Sequence, residues 1–267
     1  MPAGQIGGEH CVTRAQLARL NAALQAVAAR HVTVVAATGD AGAAGEPCSL
    51  STGLFGGPVS APVREPILIA SDPLVLSVGG TSLTASSAAG AYGSETSFDL
   101  SHGGSAGTWF QASGGGFSHL FTRPSYQDGM PGIGAGQVGS SRGVPDVSAD
   151  GDPDTGMMMV LSAGPGQHTV QQHGGTSASA PLWAGIIALA DQYAGRHLGF
   201  VNPAVYRIAL SARYHQAFHD VTAGDNTASF PSTTIAGYRA APGWDPVTGW
   251  GSPDANVLVP LLAKYAS

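Results

Sequence analysis

Charged side chains are scarce in this chain of 267 residues. Asp, Glu, Lys and Arg make up 10% of it, against about 25% in an ordinary soluble domain. Lys and Arg number only 11, the formal net charge is −6, and Lys264 is the single lysine. Nucleic-acid-binding proteins carry clustered basic residues that offset phosphate charge, so we expect no nucleic-acid partner.

Long hydrophobic runs and cysteines are also in short supply. The longest apolar run, 180–190, has 11 residues, whereas a helix that crosses a bilayer needs about 20. We therefore expect no membrane span. The N-terminus shows no basic stretch followed by an apolar one, so no secretory signal is visible. The two cysteines, Cys11 and Cys48, are too few for a thiolate zinc site and could form one disulfide.

Apolar material is nevertheless plentiful. Hydrophobic residues make up 43% of the chain, which also contains 39 Gly and 18 Pro. The Gly and Pro content stays below the level of about 25–30% that is typical of low-complexity chains. No repeat or linker divides the sequence, and its length suggests one large domain or two small ones with a hydrophobic core.

Two kinds of periodicity predict an α/β fold. Thr13 and Gln16 have capping-box spacing and open a helix whose apolar positions recur from Leu17 to Val27. The β-branched run 31–37 follows as a buried strand, which we expect to be parallel because a helix precedes it. Further short strands are predicted at 66–70, 74–78, 157–161 and 169–172.

A second helix is predicted from Ser177 to about Ala194. Pro181 is placed in its first turn, where a missing N–H costs little. The rest of this helix is apolar nearly all round, which is typical of a helix buried in the centre of a domain.

The segment Gly174–Pro181, Gly-Gly-Thr-Ser-Ala-Ser-Ala-Pro, runs directly into this helix and is the strongest chemical signal. A serine at the mouth of a helix lies where free N–H groups and the positive end of the helix dipole stabilise developing negative charge. Ser177 is therefore a candidate nucleophile. The alternative, that Ser177 only caps the helix, stays open on these facts.

Together with the Leu-Trp-Ala-Gly that follows, this segment resembles the nucleophile motif of the sedolisins, the serine-carboxyl peptidases with a subtilisin-like fold. Further segments resemble that family in its own order, at 34–42, 144–156, 218–226 and 241–253. The resemblance covers nearly the whole chain and implies a single domain over residues 1–267. It implies an α/β fold with a mostly parallel sheet flanked by helices, a buried central helix starting at Ser177 and a C-terminal calcium-binding region.

The resemblance also implies roles for individual residues. Ser177 is the nucleophile, and Asp40, after the first strand, is the protonated carboxyl that donates to the oxyanion. A carboxylic acid can do this when its surroundings raise its pKa, which favours work at acid pH. Without the family, Asp40 has a second interpretation as a turn residue that accepts backbone N–H groups. The residues implied to border the substrate cleft, with backbone for strand-like peptide pairing, are Ala36, Ala37, Ser113, Gly114, Gly115 and Gly116.

By the same resemblance, residues 218–253 contain a site for one Ca²⁺ ion, a hard cation that prefers oxygen ligands. The implied ligands are the carboxylates of Asp220 and Asp245 and the carbonyls of Val221, Ala241 and Gly243. Ala241 stands where the family usually has glycine.

Cys11 and Cys48 lie where some sedolisins have a disulfide. We therefore expect these two residues to pair.

The general base of the family is missing from this sequence. Sedolisins use a Glu and an Asp four residues apart on one helix, well before the oxyanion aspartate, but only Glu9 precedes Asp40. Glu95 and Asp99 have that spacing yet lie on the wrong side of Asp40, and His173 is expected to be a packing or polar surface residue. We therefore expect a peptidase domain without its N-terminal portion, with a sheet incomplete at that end.

Two hypotheses for function follow. The first is a serine-type endopeptidase that cleaves peptide bonds at acid pH and whose Glu/Asp pair comes from outside this chain. The second is a catalytically inactive pseudo-peptidase, or peptide-binding module, that keeps the calcium site. Another serine hydrolase, such as an esterase, is a weaker third hypothesis.

The expected partners are a peptide or protein substrate and either the missing N-terminal segment or a propeptide. By family, the protein is expected to be an extracellular monomer.

Overall fold

The structure, a computed structural model, describes residues 7–46, 48, 61–88, 90–100, 111–130 and 139–266. Its helices are α1 (Arg14–Ala28), α2 (Leu68–Ser71), α3 (Thr176–Ala194), α4 (Asn202–Ala209), α5 (Tyr214–Ala217) and α6 (Ala255–Tyr265). Short 3₁₀ turns lie at Glu9–Cys11 and Ser125–Gln127. The strands of the first half are β1 (Val34–Ala37), β2 (Val75–Ala85), β3 (Tyr92–Ser97), β4 (Gly116–Thr122), β5 (Ser141–Val144) and β6 (Val147–Asp150). Those of the second half are β7 (Met157–Gly164), β8 (Gln167–His173), β9 (Phe218–His219), β10 (Ala228–Phe230), β11 (Thr233–Ile235) and β12 (Ser252–Pro253).

The longest strand of the main sheet, β2, is shared between three partners. Its first part pairs with β1 in parallel, with Val34 opposite Val75. Its middle part pairs with β6, again in parallel, and its last part pairs with β3 in antiparallel orientation. Two of the three pairings are parallel, which confirms the predicted sheet.

Helices cover both faces of this sheet because successive residues of a strand point to opposite sides. Val75 packs with Leu20 and Leu24 of α1. Leu76 and Val78 instead belong to the larger core, which α3, α4 and α6 complete. The members of that core with the largest side chains are Trp183, Tyr206, Phe218, Trp244 and Trp250.

Helix α1 begins as its sequence predicts. The Thr13 N–H donates to the Gln16 side chain at 2.9 Å, and the Gln16 N–H donates to the Thr13 hydroxyl at 3.3 Å. These two bonds make the predicted capping box. Leu20 and Leu24 on the apolar stripe are buried, so the stripe faces the sheet.

The prediction of a strand at 66–70 is wrong. Only Ile67 has an extended partner there, Gly8, and the next residues turn into the single-turn helix α2. The Ser71 hydroxyl donates to the carbonyl of Leu68 at 2.9 Å, which closes that turn. A short apolar run fits a strand and a buried helix turn equally well, so the pattern could not decide.

Helix α3 differs from its prediction in two details. It starts at Thr176, one residue before Ser177, so Pro181 is its sixth residue and lies in the second turn. Proline has no N–H, so the Ser177 carbonyl lacks the donor that an ordinary residue would supply four positions later. The helix is also buried on one side only, where it meets the sheet and α6. The largest apolar side chains of its other side are exposed by 39%, 54% and 67%, at Leu182, Leu189 and Tyr193 respectively.

The strands predicted around Gly164 form a hairpin in which β7 and β8 pair in antiparallel orientation, with Val160 opposite Val170. Both are more than half exposed, so the hairpin stands clear of the core. Within the described ranges, no helix has the length and hydropathy that spanning a bilayer requires.

Candidate active site

The turn after β1 carries the first predicted site residue. The Thr38 N–H continues the parallel ladder by donating to the Val78 carbonyl at 3.0 Å. Gly39 then adopts φ +89°, a left-handed conformation that favours glycine, and Asp40 follows it. The chain therefore leaves the sheet at the carboxyl end of a parallel strand, where α/β folds place their sites.

Asp40 is bonded to the residue immediately before the candidate nucleophile. Its Oδ1 accepts the Thr176 N–H at 2.7 Å and the Thr176 hydroxyl at 3.0 Å. The same hydroxyl accepts the Gly39 N–H at 3.1 Å. Burial raises the pKa of Asp40 above its usual range, and the two bonds from Thr176 oppose that rise in part. A carboxyl of raised pKa thus lies beside the N-terminus of α3.

Ser177 is exposed although its neighbours Thr176 and Ala178 are buried. It is the second residue of α3, and the residue before the helix is Gly175, whose φ is +82°. The interpretation of Ser177 as a mere cap is therefore wrong, because the capping position belongs to Gly175. Ser179 fixes the helix to β6 by donating to the carbonyl of Ala149 at 3.0 Å. A hydroxyl is thus presented to solvent on a rigid first turn.

Sequence reasoning missed Glu46. Burial raises the pKa of its carboxyl, and the nearby charge of Asp40 raises that pKa further, while the Asp40 N–H donates to it. Glu46 therefore holds the turn that carries Asp40. Its only signal in the sequence is a lone acidic residue in a run of small ones, which does not reveal a buried role.

The structure buries the glycine segment that was expected to border the cleft. Ser113, Gly114, Gly115 and Gly116 are all buried, whereas Ala36 and Ala37 in β1 are partly exposed. The Gly114 N–H donates to the Gly39 carbonyl at 2.8 Å. A Cβ on Gly114 would collide with the backbone of Thr38, so the glycine permits two backbones to touch. The Gly114 N–H thus holds the turn that carries Asp40.

In the described part of the chain, no His, Glu or Asp side chain hydrogen-bonds to the Ser177 hydroxyl. The Glu95 carboxyl accepts bonds from the hydroxyls of Thr81 and Ser252, and burial raises its pKa. His173 is partly buried, with its Nε2 atom enclosed and without a hydrogen-bond partner. Neither side chain hydrogen-bonds to the Ser177 hydroxyl.

Comparisons with known proteins identify the family to which this chain belongs. A model of the subtilase family (peptidase S8) matches residues 8–210. Kumamolisin from Bacillus sp. (strain MN-32) is 39% identical over 265 residues, which are 98% of this chain and 42% of that protein. Tripeptidyl-peptidase 1 from Homo sapiens is 32% identical over 269 residues, 95% of this chain and 41% of that protein.

The chain belongs to the sedolisin branch of the subtilase family. A solved structure agrees: a Pseudomonas sedolisin, described as a serine-carboxyl proteinase complexed with two molecules of pseudo-iodotyrostatin, superposes with a TM-score of 0.70 at 28% identity. That match covers 95% of this chain and 61% of the other chain. This chain spans about two fifths of the length of kumamolisin and of tripeptidyl-peptidase 1.

The region that the sedolisin resemblance assigns to calcium contains two loops, around Asp220 and around Asp245, that hydrogen-bond to each other. Both oxygens of Asp220 accept the Gly243 N–H, at 3.2 and 3.1 Å. Asp245 is fully buried and accepts the N–H groups of Ala241 and Thr248 at 3.0 and 2.9 Å. Burial raises the pKa of Asp245 to about 7. Two carboxylates thus bond to one short loop, 241–245.

The donor set suits a hard cation. Asp220 and Asp245 offer carboxylate oxygens, and Val221, Ala241 and Gly243 offer backbone carbonyls, which are ligands that Ca²⁺ prefers. Alanine in place of glycine at 241 leaves the carbonyl in place.

The cysteine pair expected from the sedolisin resemblance is present. Cys11 and Cys48 are joined by a disulfide with their Cα atoms 5.3 Å apart. The bond ties the turn before α1 to the loop that follows Glu46.

Proposed function

We propose that this chain provides the nucleophile and the oxyanion donor of a serine-carboxyl endopeptidase that works at acid pH. The observation that carries the proposal is the bond between Asp40 and Thr176, which fixes a buried carboxyl of raised pKa next to the exposed Ser177. The Ser177 Oγ would attack the scissile carbonyl carbon while its proton passes to a carboxylate base. Because Oδ1 of Asp40 already accepts two bonds, Oδ2 is the atom that would carry the proton offered to the oxyanion.

The base itself comes, in this proposal, from sedolisin-type polypeptide that this chain does not include. Two observations support that source. The solved sedolisin has 39% of its chain outside the match, and α3 exposes Leu182, Leu189 and Tyr193 on the side away from the sheet. This exposed apolar face gives such polypeptide a place to pack on the helix that carries Ser177.

The second candidate function is a pseudo-peptidase or peptide-binding module. It is favoured by the lack of a base among the described residues. Ser177 and Asp40 would then bind peptides without turning them over.

Complementation separates the two functions. The chain is assayed against a fluorogenic peptide between pH 3 and 7, alone and after co-expression with the stretch of the kumamolisin catalytic domain that precedes the matched part. The endopeptidase proposal predicts hydrolysis only in the complemented sample, abolished by Ser177→Ala and kept by Ser232→Ala, a matched change at an exposed serine. Equal hydrolysis in the Ser177→Ala sample contradicts the proposal. Binding of a peptide aldehyde without any hydrolysis in the complemented sample favours the pseudo-peptidase instead.

We also propose that residues 218–253 hold one Ca²⁺ through Asp220, Asp245 and the carbonyls of Val221, Ala241 and Gly243. The ion would supply charge that offsets the two neighbouring carboxylates and so stabilise the loops. Added Ca²⁺ is expected to raise the melting temperature of chelator-treated chain, and Asp220→Asn is expected to remove that rise. An unchanged melting temperature in the unmodified chain contradicts the site.

An extracellular location and a monomeric state complete the proposal, with a propeptide as a further partner. The Cys11–Cys48 disulfide supports the location, because disulfides persist in oxidising compartments. Sedimentation of the purified chain tests the monomer.

A further inference from the structure

A histidine lies against the disulfide on the side of the molecule that carries α1. The His10 Nε2 is 3.3 Å from the Cys48 Sγ and 3.7 Å from the Cys11 Sγ. The potential ligand atoms of these three residues all lie within 4.8 Å of one another. The cysteine count alone excluded a thiolate zinc site, but an imidazole beside the two sulfurs changes the ligand set.

The opposite nitrogen of the same ring is held by a buried carboxylate. Glu65 is 4% exposed and accepts both the His10 backbone N–H, at 3.1 Å, and the His10 Nδ1. A carboxylate only accepts hydrogen bonds, so in the neutral imidazole Nδ1 carries the proton and the lone pair is on Nε2, the nitrogen that faces the sulfurs. Carboxylate, histidine and ligand atoms in this order are the arrangement that orients zinc-binding histidines.

The spacing also fits a tetrahedral metal. Zn–S bonds of about 2.3 Å and Zn–N bonds of about 2.0 Å place nitrogen and sulfur ligands about 3.5 Å apart around a tetrahedral ion. The two observed distances from Nε2 to sulfur lie on either side of that value. The two sulfurs need only separate from each other once their bond is broken.

We propose that the reduced chain binds one Zn²⁺ ion through His10 Nε2, Cys11 Sγ and Cys48 Sγ, with Glu65 as the positioning residue on His10 Nδ1. A dithiol or a phosphine supplies the two electrons and is itself oxidised, and the disulfide takes up two protons as it becomes two thiols. Zn²⁺ then displaces those two protons as it binds the thiolates. Water completes the fourth position, since the cysteines and His10 are partly accessible.

The metal would replace the covalent link with a coordinate one. Cys48 follows Glu46 by two residues, and Glu46 holds the turn of Asp40. In a reducing solution the bound ion would therefore keep that loop attached to the start of α1. Binding itself does not depend on peptide hydrolysis, so it can be measured whether or not the proposed peptidase function holds.

The test uses Co²⁺ as an optical probe. The chain is reduced with a phosphine, its thiols are counted, and Co²⁺ is titrated at neutral pH without oxygen. One ion per chain is expected, with a thiolate-to-cobalt absorption band that Zn²⁺ removes. The oxidised chain should show no band. His10→Ala should abolish the band, whereas His168→Ala, a change at an exposed histidine of the β7–β8 hairpin, should leave it intact.

Glu65→Gln distinguishes an oriented ligand from a chance one. Loss of the carboxylate is expected to weaken Co²⁺ binding about 10- to 100-fold. Circular dichroism of the reduced chain, with and without Zn²⁺, controls for unfolding, and Zn²⁺ should raise its melting temperature. The proposal is overturned by a folded, reduced chain without the band, by an equal band in His10→Ala, or by a reduced chain that is unfolded and that Zn²⁺ does not refold.

Discussion

At the scale of single residues, buried polar groups should contribute more to stability than exposed ones. Arg142 and Asp146 are both fully buried and form a bidentate ion pair at 2.8 and 2.7 Å. Asp146 also accepts the hydroxyl of Tyr206 at 2.7 Å, so the pair connects the sheet to α4. Pairing of this kind is what allows charges to remain inside a core.

Removing one partner of this pair should be costly. Arg142→Met leaves the carboxylate of Asp146 buried and uncompensated, which should lower the free energy of unfolding by about 3–5 kcal/mol. Urea denaturation measures the change. Arg123→Met is the matched control, because its partner Asp128 is 61% exposed and such pairs contribute less than about 1 kcal/mol. Equal losses in the two variants would show that burial of the pair is unimportant.

Asp40 should make stability depend on pH. Its pKa is raised in the folded chain, so above the ordinary aspartate pKa the folded state still holds a proton that the unfolded state has lost. The free energy of unfolding must then fall as the pH rises through the raised pKa. Asp40→Asn should flatten this slope in melting curves recorded from pH 4 upward, while Asp154→Asn, at an exposed carboxyl, should not.

At the scale of elements, α3 combines two opposite faces. One side packs Trp183 and Ile187 into the core, and the other exposes Leu182 and Leu189. The sequence predicted the helix because apolar residues are frequent all around it. Its position next to the site was predicted because the Ser177 motif runs directly into it. The sequence could not show that one side of the helix is exposed to solvent, since that depends on which other segments pack against it.

Gly185 provides a test on the exposed side of this helix. A Cβ at this position meets no atom within 4 Å, so Gly185→Ala should bring only the helix-propensity gain of up to about 1 kcal/mol in the free energy of unfolding. Urea denaturation of the chain checks the sign. A loss of stability would mean that the exposed side is already packed against something in the isolated chain.

The strand predictions show where local pattern suffices. The predicted strand 31–37 is confirmed at Val34–Ala37 only, where it is partly exposed. The strands of the β7–β8 hairpin are confirmed because a Gly-Pro-Gly turn specifies them locally. The end of β2 was not predicted, because five of its residues 79–85 are Gly, Ser or Thr, and their pairing with β6 and β3 is set by distant parts of the chain. The burial of 113–116 escaped prediction for the same reason: Gly114 lies against Thr38 and Gly39, and Gly115 lies against Pro246.

At the scale of the whole molecule, the described residues form a hydrophobic core, and the proposed peptidase site relies on a base from outside this chain. The family, the fold, the order of the motifs and the disulfide partners could be inferred from the sequence, because each depends on short segments. Glu46, the Arg142–Asp146 pair and the histidine on the disulfide could not be inferred, because each contact joins residues that no local pattern links.

The isolated chain should therefore be a very poor peptidase. Without a base for Ser177, the rate of peptide hydrolysis should lie several powers of ten below that of kumamolisin on the same substrate, because removal of one member of a catalytic triad has an effect of that size. Progress curves at acid pH measure it. Efficient hydrolysis by the isolated chain, lost in Ser177→Ala, would show that a base exists within the 267 residues.

The β7–β8 hairpin has a chemical consequence of its own. Met158 and Met159 are 65% and 42% exposed, whereas Met130 in the core is 4% exposed. Thioether sulfur is oxidised by peroxide at a rate that follows its exposure, and the sulfoxide adds a mass that is easily weighed. Sulfoxide should therefore form fast at Met158 and Met159 and slowly at Met130. A polypeptide that binds over the hairpin should slow the oxidation of the two hairpin methionines without changing the rate at Met130.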